Sequence, residues 1–286
     1  MPRTTAPKAK ARNPAPLVIS LICAALLGWL ALAQAAPALA QSSPWAQGEA
    51  SRARLLAAGG LAQGRYLAGV DIRLAAGNLT YWKLPGDAGV PPVFSFEGSK
   101  NLASAQALYP APRRFPEANG EAFGYKDEVL FPVMVTPVDP AKPVSLAVKL
   151  DYATCDRICI PAQAVLRLEL APGARASEEA DLLRAWLART PSPAGDPAAP
   201  RASVTQAQAP NGWHVRFAGE APGDLFAEGP EDWFFDTKRT ADGFDLILAQ
   251  KPADAPAGPV VVTLTMVVGD RAFEARTTLD ARRAKP

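Results

Sequence analysis

Cysteine, histidine and methionine are scarce in this chain: its 286 residues include three, one and three of them. The single histidine, His214, rules out histidine-based metal motifs, and there is no glycine-rich phosphate loop, nucleophile elbow or histidine–carboxylate zinc signature. The residues therefore imply no cofactor and no metal. Charge of one sign is lacking too, with 30 basic and 28 acidic side chains, so no basic field marks a nucleic-acid or anionic-lipid binder. Beyond residue 36 no apolar run is long enough to cross a bilayer.

The N-terminus is different. Arg3, Lys8, Lys10 and Arg12 occur without an acid in residues 1–16, residues 17–36 are apolar, and Ala38-Leu39-Ala40 offers small residues for cleavage. This pattern predicts a secretory signal peptide over residues 1–40 and a mature chain from Gln41. Removing those four cations turns the formal charge of +2 into −2. Cys23 follows Ile22, where a lipoprotein signal wants a small residue, so it is expected to be discarded. The alternative is an uncleaved single anchor, since about 20 apolar residues can span a bilayer. Either way the body is expected outside the cytoplasm, where disulfides persist.

Apolar residues recur with period two through most of the remainder, as in strands with one buried face. The pattern is weak over 43–60, where Ala53, Leu55 and Ala57 alternate, and clear over 65–75, where Tyr66, Ala68, Val70, Ile72 and Leu74 oppose Arg65, Asp71 and Arg73. Short strands follow around Thr80–Lys83, 93–96 and 102–109, then a loop rich in proline and glycine over 110–124, then a strand at 127–135 that Pro132 assigns to an edge or bulge. Residues 144–152 and 165–170 alternate again. Seven or eight such strands without a helix predict an all-β, immunoglobulin-like β-sandwich over residues 41–172. Over 173–200 we expect a helix capped by Ser177, with Glu178 and Glu179 in its first turn and a Leu182, Leu183, Trp186, Leu187 stripe, then a linker carrying Pro191, Pro193, Pro197 and Pro200. Residues 201–286 are strand-like and predict a second, smaller β-sandwich. There His214 reads as a satisfied strand residue, and Trp233-Phe234-Phe235 as either core or a recognition surface.

The only cysteines outside the N-terminal segment are Cys155 and Cys159, in Asp-Tyr-Ala-Thr-Cys-Asp-Arg-Ile-Cys-Ile-Pro at 151–161. The flanking alternation puts them in the connection of a β-hairpin, where a tight turn can bring their Cβ atoms to about 4 Å. A structural disulfide is one reading. Against it, closing so short a loop stabilises by only roughly 2 kcal/mol, and Arg157 between the sulfurs favours a reactive thiolate while Asp156 opposes it. A metal-carrying thiol pair would need ligands that the sequence does not offer nearby.

Three separated stretches resemble one known family: residues 150–165, Gly-Asn-Leu-Thr-Tyr-Trp-Lys-Leu-Pro-Gly-Asp-Ala-Gly at 77–89, and Phe-Gly-Tyr-Lys at 123–126. They are similar to the N-terminal periplasmic domain of the DsbD and ScsB thiol:disulfide interchange proteins, well over about 50–172 and loosely beyond. The resemblance implies a thiol:disulfide oxidoreductase of electron-relay type. Its cysteine pair would take electrons from a membrane-embedded thiol transporter and pass them to periplasmic thioredoxin-like proteins. Cys159 would form the mixed disulfide and Cys155 would resolve it. Phe115, in a cap loop over 113–120, would shield the pair, and Tyr81 would lie beneath it. Departures from the family pattern are the short spacing of the pair and Arg113 and Arg114, which stand where the best-known members place acids. A transmembrane domain and a thioredoxin-like domain are also not in this sequence, so a relay is expected to use partners on other polypeptides. The rival expectation is a non-catalytic immunoglobulin-like binding protein of the cell envelope with a structural disulfide.

Overall fold

A computed structural model describes residues 40–281, apart from 88, 118–119, 194, 208–210, 220 and 257, together with residues 1 and 4. The predicted signal segment, with Cys23, otherwise lies outside the described residues. Two sheets build the first sandwich. One contains β1 (Ala46–Gln47), β2 (Ser51–Ala57), β3 (Tyr66–Leu74), β6 (Leu102–Ala107) and β9 (Glu128–Pro137), in the order β1-β2-β3-β9-β6. The other contains β4 (Leu79–Gly86), β5 (Val93–Ser95), β7 (Arg113–Glu117), β8 (Gly120–Lys126), β10 (Val144–Cys155) and β11 (Cys159–Leu170). Its order is β11-β10-β4-β8-β7, with β5 also paired to β10. Alternation supplies the inner faces: Tyr66, Val70, Ile72, Phe131, Val133, Leu146 and Leu150 are fully buried. Each such side chain contributes about 1.5–3 kcal/mol.

The first sheet is buried on its outer face as well. Helix α1 (Ala180–Leu187) lies across β2, β3 and β9 with Leu183 and Trp186 buried. Gly69 makes room for it, because a Cβ there would collide with the side chains of Leu183 and Leu130. The helix starts later than expected and Ser177 does not cap it: Glu179 occupies the cap position without a side-chain hydrogen bond. The backbone N–H of Ser177 donates instead to Ala58 O at 3.0 Å, which ties the approach to the sheet.

Two further readings change. The expected loop over 110–124 contains the β7–β8 hairpin, so the sandwich has more strands than the pattern suggested. Pro132 lies on an internal strand, but β6 ends at Ala107 opposite Val133. The ring therefore faces no paired strand on that side, where Leu108 N–H reaches Pro132 O, and the ladder loses little.

The second sandwich pairs β12 (Ala202–Gln206), β13 (Gly212–Phe217), β16 (Gly243–Gln250) and β15 (Phe234–Arg239) in one sheet, and β14 (Asp224–Glu228), β17 (Pro259–Val268) and β18 (Arg271–Asp280) in the other. Trp213, Val215, Leu225, Leu246, Leu264 and Met266 fill it. The aromatic run divides: Phe235 is buried, Trp233 stacks on it at 6.3 Å, and Phe234 is half exposed. His214 lies between Asp245 and Asp242, at 2.8 and 3.0 Å from its two ring nitrogens.

The sandwiches belong to one compact unit, Ala40–Pro286. Phe226 of β14 is 1% exposed and packs with the first core, its ring 5.4 Å from Trp82 and 4.9 Å from Phe123. Lys83 reaches Glu228 at 2.5 Å and Glu274 at 3.5 Å. Within the connecting segment, Ser192 bridges to Phe273 of β18.

Candidate functional site

Cys155 ends β10 and Cys159 begins β11, and the two are direct cross-strand partners around the turn Asp156-Arg157-Ile158. Their Cα atoms are 4.1 Å apart and the sulfurs are joined at 2.10 Å. The pair is asymmetric. Cys155 is 2% exposed and also pairs with Leu79 of β4, whereas Cys159 is exposed, as are all three turn residues, with Ile158 at 76%.

Beneath the sulfurs sits a small apolar cluster, separate from the main core: Leu79 and Tyr81 of β4, Ala122 of β8, and Ala153 and Cys155 of β10. Tyr81 is 1% exposed, and its hydroxyl donates to Cys155 Sγ at 3.0 Å and lies 3.4 Å from Cys159 Sγ. Burial pushes the Tyr81 pKa up, and the charge of Glu117 raises it further, so the phenol keeps its proton through the range in which thiols ionise. Phe115, half buried on β7, packs against this cluster, with Lys126 Nζ 5.0 Å from its ring centroid.

The four residues singled out in the sequence thus converge at one place. Phe115 reaches it from a strand rather than from the expected loop. Sequence reasoning missed Leu79, Ala122 and Ala153, which wall the site. The alternation of Leu79 and Tyr81 against Thr80 and Trp82 is the signal that could have found the first. It also missed Gly124, opposite Tyr81 on β8, where a Cβ would run into the backbone of Thr80 and Tyr81; this glycine lets β8 lie close beneath the site.

Fold and site define a β-sandwich protein carrying a cross-strand disulfide with one cysteine buried and the other exposed. Residues 51–171 match the family described as thiol:disulfide interchange protein DsbD, N-terminal, and this segment is a domain of that family. Among solved structures, the crystal structure of the N-terminal periplasmic domain of ScsB from Proteus mirabilis is similar in fold, with a TM-score of 0.64 at 18% identity. The match covers 84% of this chain and 98% of that one, a share that residues 51–171 alone cannot supply, so the likeness extends into the second sandwich. A comparison with curated protein sequences gives no match.

Proposed function

We propose that the Cys155–Cys159 pair is a working thiol:disulfide relay in the periplasm. It would accept electrons from a membrane-embedded thiol transporter and deliver them to thioredoxin-like proteins. The observation that carries this reading is the asymmetry of the disulfide: an exposed Cys159 bonded to a buried Cys155 whose sulfur already receives a hydroxyl hydrogen bond. The domain family of residues 51–171 and the periplasmic origin of the similar ScsB domain support it.

The exchange runs in two steps. A partner thiolate attacks Cys159 Sγ; the new partner–Cys159 bond forms as the Cys155–Cys159 bond breaks, and Cys155 leaves as a thiolate toward which the Tyr81 hydroxyl points. A second partner thiolate then attacks the partner sulfur of the mixed disulfide and releases Cys159. Two electrons have entered the pair, and solvent supplies protons to whichever thiolates take them up. Delivery is the reverse: Cys159 attacks the client disulfide and Cys155 resolves the adduct.

The test uses each cysteine variant mixed with a thioredoxin-like partner on a non-reducing gel. Cys159→Ser abolishes trapping of the partner, and Cys155→Ser accumulates the mixed disulfide. If both variants exchange as wild type does, the pair is not a relay and the structural-disulfide reading stands.

A further inference from the structure

The second sandwich has no cysteine, yet one contact connects it to the disulfide. Successive residues of a strand point to opposite faces of the sheet. On β7 this places Phe115 against the cluster that holds Tyr81 and Cys155, and its neighbour Arg114 on the other face, against the second sandwich. Arg114 forks onto Asp224, with Nε 3.2 Å from Oδ2 and one terminal nitrogen 3.0 Å from Oδ1. It also donates to Thr237 Oγ1 at 2.9 Å, to Leu225 O at 3.2 Å and to Glu121. Its guanidinium stacks 4.7 Å from the centroid of Phe123 and 5.1 Å from that of Phe226. A planar fork of this kind fixes geometry as well as charge.

The strand that carries Arg114 needs such a tie. β7 is five residues long, ends its sheet and is paired to β8 alone among the described strands. Short edge strands open locally at low cost. The Arg114 and Asp224 side chains are only 20% and 26% exposed, so solvent weakens their attraction less than at an open surface.

We infer that Arg114 is a positioning residue for the cysteine pair: by gripping Asp224 and Thr237 it lets the second sandwich hold β7, and with it Phe115, against the cluster that buries Cys155. This rests on the reading of the pair as exchangeable and of Phe115 as the cover of Cys155. The second sandwich then sets how often the buried Cys155 is uncovered, and a partner that lifts Phe115 must also loosen the contact between the sandwiches, since coupling between two equilibria is reciprocal.

The test measures alkylation of Cys155 in the reduced protein by iodoacetamide as a function of pH, read at that residue by peptide mass spectrometry, in protein spanning residues 41–286. The variants are Arg114→Gln, Asp224→Asn, Phe115→Ala and the Arg114→Gln/Phe115→Ala double. Asp224→Asn keeps the shape of the side chain and guards against misfolding at Arg114. The inference expects Arg114→Gln and Asp224→Asn each to raise the high-pH plateau about fivefold or more, a modest part of what losing a charged hydrogen bond can do. The midpoint of the profile stays where it is, because the fork acts by position and not by charge on sulfur. In the Phe115→Ala background, Arg114→Gln adds nothing further. An unchanged plateau in both single variants, a shifted midpoint with an unchanged plateau, or an equal Arg114 effect with and without Phe115 would overturn the inference. If Phe115→Ala itself changes nothing, it is the shielding role of Phe115 that fails, and the inference falls with it.

Discussion

At the scale of single residues, the chemistry turns on one hydroxyl. Tyr81 lies under both sulfurs and donates to the buried one. Desolvation first, and Glu117 second, hold its pKa above the usual tyrosine value, so the donor persists through the ordinary thiol range and is lost only as pH rises through that raised value. A hydrogen bond to a charged sulfur stabilises the reduced form, which makes the pair more oxidising. Tyr81→Phe is therefore expected to make the reduction potential more negative by about 30 mV, equivalent to about 1.4 kcal/mol in a two-electron couple. The shift should be largest above the thiol pKa; an unchanged potential there would remove Tyr81 from the mechanism. The cysteines stood out in the sequence by their rarity, and Tyr81 and Phe115 through family likeness. Arg114 stood out only as a departure from the family pattern, and its tie to Asp224 was not legible, because a partner 110 positions away leaves no local pattern.

At the scale of elements, hairpin β10–β11 was legible because both strands alternate cleanly on either side of the cysteines, and the register Val144↔Leu170 through Cys155↔Cys159 is unbroken. Hairpin β7–β8 was not legible. Pro116, Gly120 and Gly124 are breakers in any local reading, and here they serve the pairing: Gly120 takes φ of +147° where the chain turns back, and Gly124 admits close approach to β4. The Ser177 cap failed for a similar reason, since a backbone bond to Ala58 decides how the chain enters α1. Gly124→Ala forces β8 away from Thr80 and Tyr81 and is expected to cost about 1–3 kcal/mol, as overpacking in a close-fitting interior does. Urea unfolding measures this, and a variant as stable as wild type would show that β8 has slack to accommodate a methyl group.

At the scale of the whole molecule, both sandwiches were visible as runs of short alternating strands, but not their union. Trp82, Lys83, Phe123 and Phe226 join them, and the same strands β4 and β8 that carry Trp82 and Phe123 on one face carry Tyr81 and Ala122 on the other. The disulfide site is thus backed by the seam between the sandwiches. Among the described residues no helix is long and apolar enough to cross a membrane.

The central claim is that the pair exchanges rather than staples. Its most direct test is the reduction potential of the Cys155–Cys159 pair in protein spanning residues 41–286, by equilibration against glutathione or dithiothreitol and alkylation of the free thiols. The account predicts a value of about −200 to −270 mV with rapid exchange, in the range of working thiol relays. A value well below about −300 mV, reached slowly, would mark a structural disulfide and contradict it.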